Sequence, residues 1–497
     1  MTLRTDPQIT RIFDAIHAEL RHEQPLYLVG GSVRDDMLGG TINDLDFVMP
    51  EDPTRLAKEV ARRLKAGFFV LDDERRTTRI LFKDLEGKNF PLDFVKYTGN
   101  SLLEDLRSRD FTINAMALSI HDLSTLIDPL GGREDLNHGR LILCHPGALM
   151  ADPVRVLRGI RMTLQFGLDF EPDMESQMQQ AAAQLPATSY ERQRDEFFKI
   201  LAGPEPAQGM VYCRQFKVFE TLFPNLVDQE SIPASPPHVF PLFDHTNKVI
   251  EYLDQLLGAI KMASQSVVDR SWWLAKASDV LLPYAVHLAS FFQEEVTPER
   301  RKCSLALLGA LLHDLGKPMT MKMGEDGRLH YYNHAQVGAD LALEATKRLK
   351  LSNAECNWVS TLVRHHMDLL PLINGQTPLT PKVIYRFYQK VDEVGITIVL
   401  HTLADTLATY DDTLTAQKWE QTLMIVKAFV SAWWDQKETL ISPTPILDGY
   451  DLQRIFGLEP GQQIGTLLDS LIEAQAIGEV STQAEAKSFI LKTMKSI

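Results

Sequence analysis

Cysteine is scarce in this 497-residue chain: Cys144, Cys213, Cys303 and Cys356 lie far apart, with no CxxC pair. That spacing excludes a disulfide-stapled scaffold and a cysteine-rich zinc site, and fits reduced thiols in a cytoplasm. Long apolar runs are missing as well. No stretch approaches the roughly 20 residues that span a bilayer, and the N-terminus lacks the basic-then-apolar layout of a signal peptide. A cytoplasmic protein without a membrane partner is therefore expected. Positive charge is in deficit, with 51 Lys and Arg against 66 Asp and Glu, a formal net charge of −15. The first 220 residues hold 27 basic and 34 acidic side chains, so neither half is basic. A protein that coats nucleic acid non-specifically is excluded by that balance, and any RNA must be met by a local basic surface. No internal repeat is visible, and nothing in the sequence speaks to oligomeric state.

What is present reads as globular. Hydrophobic residues make up 44% and charged residues 24%, and the length implies more than one core. Residues 8–20 predict a helix, followed by the apolar strand Leu26–Val29, the glycines Gly30-Gly31, and a helical stretch from Val33 to Leu38. Leu45, Phe47 and Val48 suit a second strand, 53–66 a helix, and the stretches near 68–71, 79–82 and 91–95 further strands. This is a small mixed sheet with helices over residues 1–145. Residues 146–230 turn helical, with Val156, Leu157, Ile160 and Leu164 at three- and four-residue spacing. The proline-rich Ser231–Pro241 reads as a linker. Residues 242–440 read as almost entirely helical, and 441–497 as a helical end piece. The fold class is α+β.

Three features of the first 120 residues carry chemistry. Gly30-Gly31-Ser32 lies between a strand and a helix, where glycines let backbone N–H groups approach a phosphate. Arg34 adds a charged donor for a triphosphate. In Asp44-Leu45-Asp46 the two carboxylates sit two apart on a strand and share one side. Anions so close repel unless a cation lies between them, and hard oxygen ligands suit Mg²⁺. Asp93, in the apolar Leu92-Asp93-Phe94-Val95, is a third candidate. Three such carboxylates suit two-metal phosphoryl transfer without a covalent nucleophile. In Arg107–Ala117, Arg109, Asp110 and Asn114 recur at helical spacing, Arg109 placed for phosphates and the other two for ribose hydroxyls.

LVGGSVRD, DLDF, RSRDFTINAMAL and DPVRVLRGIRMTLQFGL, in that order, resemble the class II CCA-adding enzyme and poly(A) polymerase family over about residues 25–200. The resemblance implies a nucleotidyltransferase head, a helical neck, and transfer from ATP and CTP to a tRNA 3′ end. It implies metal binding by Asp44 and Asp46, with Asp93 the weaker match. It implies a triphosphate pocket at Gly30, Gly31, Ser32 and Arg34, and a ribose and phosphate pocket at Arg109, Asp110 and Asn114. Asp152 and Arg155 match the family's base-reading motif. The chemistry is coherent, because cytosine and adenine each offer an amino donor beside a ring-nitrogen acceptor, which Asp and Arg satisfy and guanine and uracil do not. Arg158 and Arg161 continue that helix. Many relatives carry Glu before this Asp, where the chain has Ala151, so CCA, A-only and longer-tail addition all stay open. Glu191–Lys199 reads as structural ion pairing.

In the helical half, His245, His313-Asp314, His334, His365-His366 and Asp405 resemble the HD phosphohydrolase superfamily over about 240–410. By that resemblance His245, His313, Asp314 and Asp405 hold one metal, and His334 and His365 a second, with His366 the rival of His365. Mixed nitrogen and oxygen ligands admit Mn²⁺, Ni²⁺, Mg²⁺ or Fe²⁺. The alternatives to tRNA end addition are a poly(A) polymerase, or an HD phosphohydrolase with an RNA-binding front half.

Overall fold

Alternation of apolar residues builds the first sheet. The computed structural model describes residues 3, 5–72, 76–83, 87–262, 271–325 and 327–495. Helix α1 (Pro7–Glu19) starts where the Asp6 carboxylate accepts from the Gln8 and Ile9 amides at 2.7 and 3.2 Å. Strand β1 (Tyr27–Val29) leads through Gly30 into α2 (Gly31–Met37), then β2 (Leu45–Met49), α3 (Thr54–Leu64), β3 (Gly67–Asp72), β4 (Thr77–Lys83) and β5 (Asn89–Lys96). Helix α4 (Leu102–Ser108), β6 (Ala117–Ser119) and β7 (Asp122–Ile127) follow. The sheet order is β3-β4-β5-β2-β1-β6-β7, with β2 and β5 parallel and the other neighbours antiparallel.

Leu45, Phe47 and Met49 of β2 point to one face, where they pack with Leu92 and Phe94 against Ile12, Ile16, Val60 and Leu64. The intervening Asp46 and Val48 point to the other face, where Val48 joins Val29, Leu106, Ala115 and Ala117. The pleat thereby separates a core face from a face that carries carboxylates.

Two compact units result: Met1–Glu196 with Gln215–Lys217, and Phe197–Arg214 with Val218–Ile497. The second is helical, as its sequence predicts, but it also holds two short hairpins, Glu295–Thr297 with Arg300–Arg301 and Met321–Met323 with Leu329–Tyr331. Periodicity over a long helical stretch hides pairs of two- and three-residue strands. Its end piece has helices Gly449–Phe456, Gln462–Ala476 and Gln483–Met494 around Leu452, Leu467, Leu471 and Ile490. Capping boxes at Asp448 and Thr482 start the first and last of them. Among the described residues no helix is long and apolar enough to cross a membrane.

Candidate active site and metal cluster

In the sheet, Asp46 stands in register between Val29 of β1 and Asp93 of β5, and Arg79 of β4 faces Asp93. Asp44 immediately precedes β2. Burial, and then the charges of Asp93 and Asp35, raise the Asp44 carboxyl above its ordinary range. Burial, and then Asp44 and Asp93, push Asp46 up to about 7. Asp93 has its own cation: Arg79 Nε and Nη2 each donate to it at 2.7 Å. The uncompensated charge therefore sits on Asp44 and Asp46, and two crowded, buried carboxylates are the donor set that a hard divalent cation takes. The residues present fit one.

The glycine turn lies against these acids. Gly30 has φ +77°, a value that favours glycine, and a Cβ there would come within 3.4 Å of Asp46 Oδ2 and 3.3 Å of Arg109 Nη1. Turn, carboxylate and arginine from three separate sequence motifs share one spot. Ser32 is buried and its hydroxyl donates back to the Val29 carbonyl at 3.3 Å.

A hydrogen-bonded chain joins the remaining candidates of this unit. Arg34 stacks on Phe166 with its guanidinium 4.2 Å from the ring centroid, donates to Asp35, and donates to the Asn114 side-chain oxygen. Asn114 Nδ2 donates to Asp110 Oδ1 at 3.1 Å, and Arg158 Nε donates to Asp110 Oδ2 at 2.8 Å. Burial works to raise the Asp110 carboxyl, but Arg158, the Phe111 amide and Asn114 together hold it below its ordinary range. The helical spacing expected for Arg109, Asp110 and Asn114 is not realised. Arg109 caps the end of α4, and Thr112–Asn114 form a separate 3₁₀ turn. Gly132 has no room for a Cβ, which would lie 2.1 Å from the Thr112 carbonyl oxygen, so backbone crowding shapes this corner.

Arg155 N donates to the Asp152 carbonyl at 3.0 Å, but the two side chains turn to different partners. Asp152 Oδ2 accepts from Arg192 Nη2 at 2.6 Å. Arg155 donates to the carbonyl oxygens of Ser108, Arg109 and Ala148 at 2.9, 3.1 and 3.2 Å. Arg161 Nε donates to Glu196 Oε2 at 2.8 Å. Arg192 and Glu196 thus make the ion pairs that their sequence segment predicts.

The second unit gathers its histidines. His245 lies on helix Leu242–Lys261, His313 and Asp314 follow helix Lys302–Leu312, His334 opens helix His334–Arg348, and Asp405 lies on Val394–Tyr410. Ligand atoms of His245, His313 and Asp314 all lie within 4.8 Å of one another, and so do those of Asp314, His334 and His366. Asp405 Oδ1 is 3.1 Å from His245 Nε2. His365 is not in the cluster. Its Nδ1 lies 3.0 Å from Asp368 Oδ2, whereas His366 Nε2 lies 3.7 Å from Asp314 Oδ1. One residue turns the chain by about 100° around a helix, so only one of two adjacent histidines can face inward.

The imidazoles are prepared for a cation. His313, His334 and His366 each place Nδ1 2.7 Å from a backbone carbonyl, of Ala310, Tyr331 and Val363. At His334 and His366 that bond puts the proton on Nδ1 and leaves the Nε2 lone pair facing Asp314, whereas at His313 burial works to lower the imidazole but the charge of Asp314 raises it above its ordinary value. Burial, then the charge of His313, lowers His366 to about 3, which keeps it a neutral ligand. Burial works to raise Asp314, but His313 and Lys317 hold it well below the carboxylate range. Close packing shapes the centre too. A Cβ on Gly316 would lie 2.1 Å from the His334 carbonyl oxygen.

Three residues beside this cluster had no functional reading in the sequence. His401, buried with neither ring nitrogen hydrogen-bonded, has its ring centroid 4.9 Å from that of His313. It lies one helical turn before Asp405, and that spacing was the available signal. Lys317 Nζ lies 2.6 Å from Asp314 Oδ2. His238 lies in the proline-rich segment, where composition alone suggested a linker, with its ring centroid 4.8 Å from that of His245.

Three family models match successive segments of the chain. A Poly A polymerase head domain family matches residues 26–142, a "Probable RNA and SrmB- binding site of polymerase A" residues 167–229, and an HD domain residues 284–405. The chain is 30% identical over 469 residues to the A-adding tRNA nucleotidyltransferase of Deinococcus radiodurans, covering 93% of this chain and 94% of that one. It is 29% identical over 471 residues to the CC-adding tRNA nucleotidyltransferase of Thermus thermophilus, covering 93% and 92%. The Thermotoga maritima CCA-adding enzyme complexed with tRNA superposes with a TM-score of 0.60 at 22% identity, over 99% of this chain and 97% of that one, a likeness of fold.

Proposed function

Because the chain belongs to the tRNA nucleotidyltransferase family, with a poly(A) polymerase head and an HD domain, we propose that it adds C, A or both to the tRNA 3′ end from CTP and ATP, at Asp44 and Asp46. The observation that supports this reading is the approach of Gly30 to Asp46, by which phosphates bound on the glycine turn would lie beside the paired acids. In the reaction the 3′-hydroxyl oxygen attacks the α-phosphorus of the incoming nucleotide and loses its proton, and the bond to pyrophosphate breaks. Mg²⁺ held by Asp44 and Asp46 would supply charge neutralisation to that exchange. Arg109 and the Gly30-Gly31 backbone receive the triphosphate, and the Arg34–Asn114–Asp110–Arg158 chain fixes the pocket that receives the sugar.

Relatives of nearly equal identity carry the names A-adding and CC-adding, so the nucleotide must be read by experiment. The purified chain is given tRNA lacking its 3′ end, tRNA ending in CC, Mg²⁺ and each labelled nucleotide. C and A addition to the first RNA marks a CCA enzyme. C alone marks a CC-adding enzyme, and A only on the CC-ending RNA an A-adding one. Repeated A addition marks a poly(A) polymerase, and no incorporation of any kind overturns the reading.

Asp152 is the base-reading acceptor, and Arg192 holds its carboxylate in place. Arg192→Ala is therefore expected to lower the preference for A and C over G and U by roughly tenfold, measured as the ratio of single-nucleotide incorporation rates. An unchanged ratio would remove Asp152 from this role.

The HD cluster is read as a phosphohydrolase centre for two divalent ions, one at His245, His313, Asp314 and Asp405, the other at Asp314, His334 and His366. The support is the shared backbone anchoring of three imidazoles around one carboxylate.

A further inference from the structure

The proline-rich segment Ser231–Pro241 does more than join elements. Backbone bonds pin it: His238 N donates to the Ser235 carbonyl at 3.0 Å, Val239 N to Thr409 at 3.2 Å, and Leu242 N to Ile232 at 3.1 Å. Held there, Ser235 and His238 line a pocket together with His245, Lys317 and Tyr331. The His238 ring stands edge-on to that of His245 at 79°. Its Nε2 lies 3.5 Å from Lys317 Nζ, and the same Nζ lies 2.6 Å from Asp314 Oδ2. The cationic end of Lys317 and a ring nitrogen of His238 thus converge at the edge of the metal cluster.

We propose that His238 and Lys317 form an oxyanion-binding pair that receives the terminal phosphoryl group of the HD centre's substrate. The proposal rests on the phosphohydrolase reading above and deepens it. Lysine has donors only: Lys317 gives one to Asp314 at 2.6 Å, and its 3.5 Å contact with His238 Nε2 is long for a hydrogen bond and leaves room for a better acceptor. An oxygen atom shared between them satisfies both, with His238 presenting an Nε2–H. His238 contacts His245 and Lys317, and the charges of Asp314 and Asp405 also act on it. The two carboxylates repel an anion unless the cations they are arranged to hold are present, so binding of the oxyanion is metal-dependent.

The test uses the full-length chain loaded with Mn²⁺, inorganic phosphate as the probe, calorimetry for binding, and elemental analysis for metal content. Wild type is expected to bind phosphate only when loaded. His238→Ala is expected to weaken binding about tenfold at unchanged metal content, and His238→Gln, whose amide still donates, to recover part of it. If His238→Ala holds its metal and binds phosphate like wild type, the pair is refuted while the phosphohydrolase reading survives. Loss of metal in His238→Ala also refutes it, making His238 a support for the ligands. Loaded wild type that binds no phosphate removes the proposed pair, and wild type that takes up no Mn²⁺ removes the HD reading and the pair together.

Discussion

Replacing Asp46 by asparagine is expected to cut nucleotide incorporation by roughly three orders of magnitude and at the same time to stabilise the metal-free first unit. The two effects share one cause. Asp46 is buried among carboxylates, and its pKa of about 7 lies above the ordinary value of 3.8. Between those values the folded chain keeps a proton that the unfolded chain has released, so stability falls as pH rises through that window. By pH 8 the full cost is present, on the order of a few kcal/mol. Asparagine keeps the shape and removes the charge. Without divalent ions at pH 8 its first-unit melting temperature should exceed that of wild type, and the difference should vanish near pH 4. Adding Mg²⁺ should raise the wild-type midpoint far more than that of Asp46→Asn. A variant that melts below wild type at pH 8, or that still incorporates nucleotides, would break the link between the strained acids and the cation.

That link could be drawn from the sequence because strand geometry is local. Asp44-Leu45-Asp46 fixes its own sidedness through the period of two, and Gly30-Gly31 signals its turn by residue type. The partners across strands were not legible, since register comes from the whole sheet: Arg79 opposite Asp93 lies 14 residues away in sequence, and nothing in either segment names the other. The same holds for Asp152 and Arg192, 40 residues apart. The choice between His365 and His366 depends on helix phase at a helix terminus, where a one-residue shift in the end reverses the answer. His238 was hidden for a different reason. Proline-rich composition describes a backbone that makes no regular ladder, and it says nothing about where tertiary hydrogen bonds pin that backbone. The Arg109–Asn114 stretch misled through periodicity, because a helix end followed by a 3₁₀ turn reproduces the spacing of one continuous helix.

Asp314→Asn is expected to empty both metal positions of the second unit, while His366→Ala empties one. Asp314 is the only residue common to the two triads. Its Oδ2 lies 3.1 Å from His313 Nε2, and its Oδ1 lies 3.5 and 3.7 Å from the Nε2 atoms of His334 and His366. Asparagine can offer one carbonyl oxygen and no charge, so it cannot serve two cations at once. His366 contributes to a single triad, and its loss leaves His245, His313, Asp314 and Asp405 in place. Elemental analysis after loading should read about two ions per chain for wild type, about one for His366→Ala and near zero for Asp314→Asn. The aspartate change also leaves Lys317 buried without its anion, a loss of about 3–5 kcal/mol for a buried pair broken on one side, so helicity must be checked before metal content is interpreted. His365→Ala is the matched comparison, since that side chain pairs with Asp368 away from the cluster, and it should keep both ions. Two ions retained by Asp314→Asn, or one lost by His365→Ala, would overturn the shared-carboxylate arrangement.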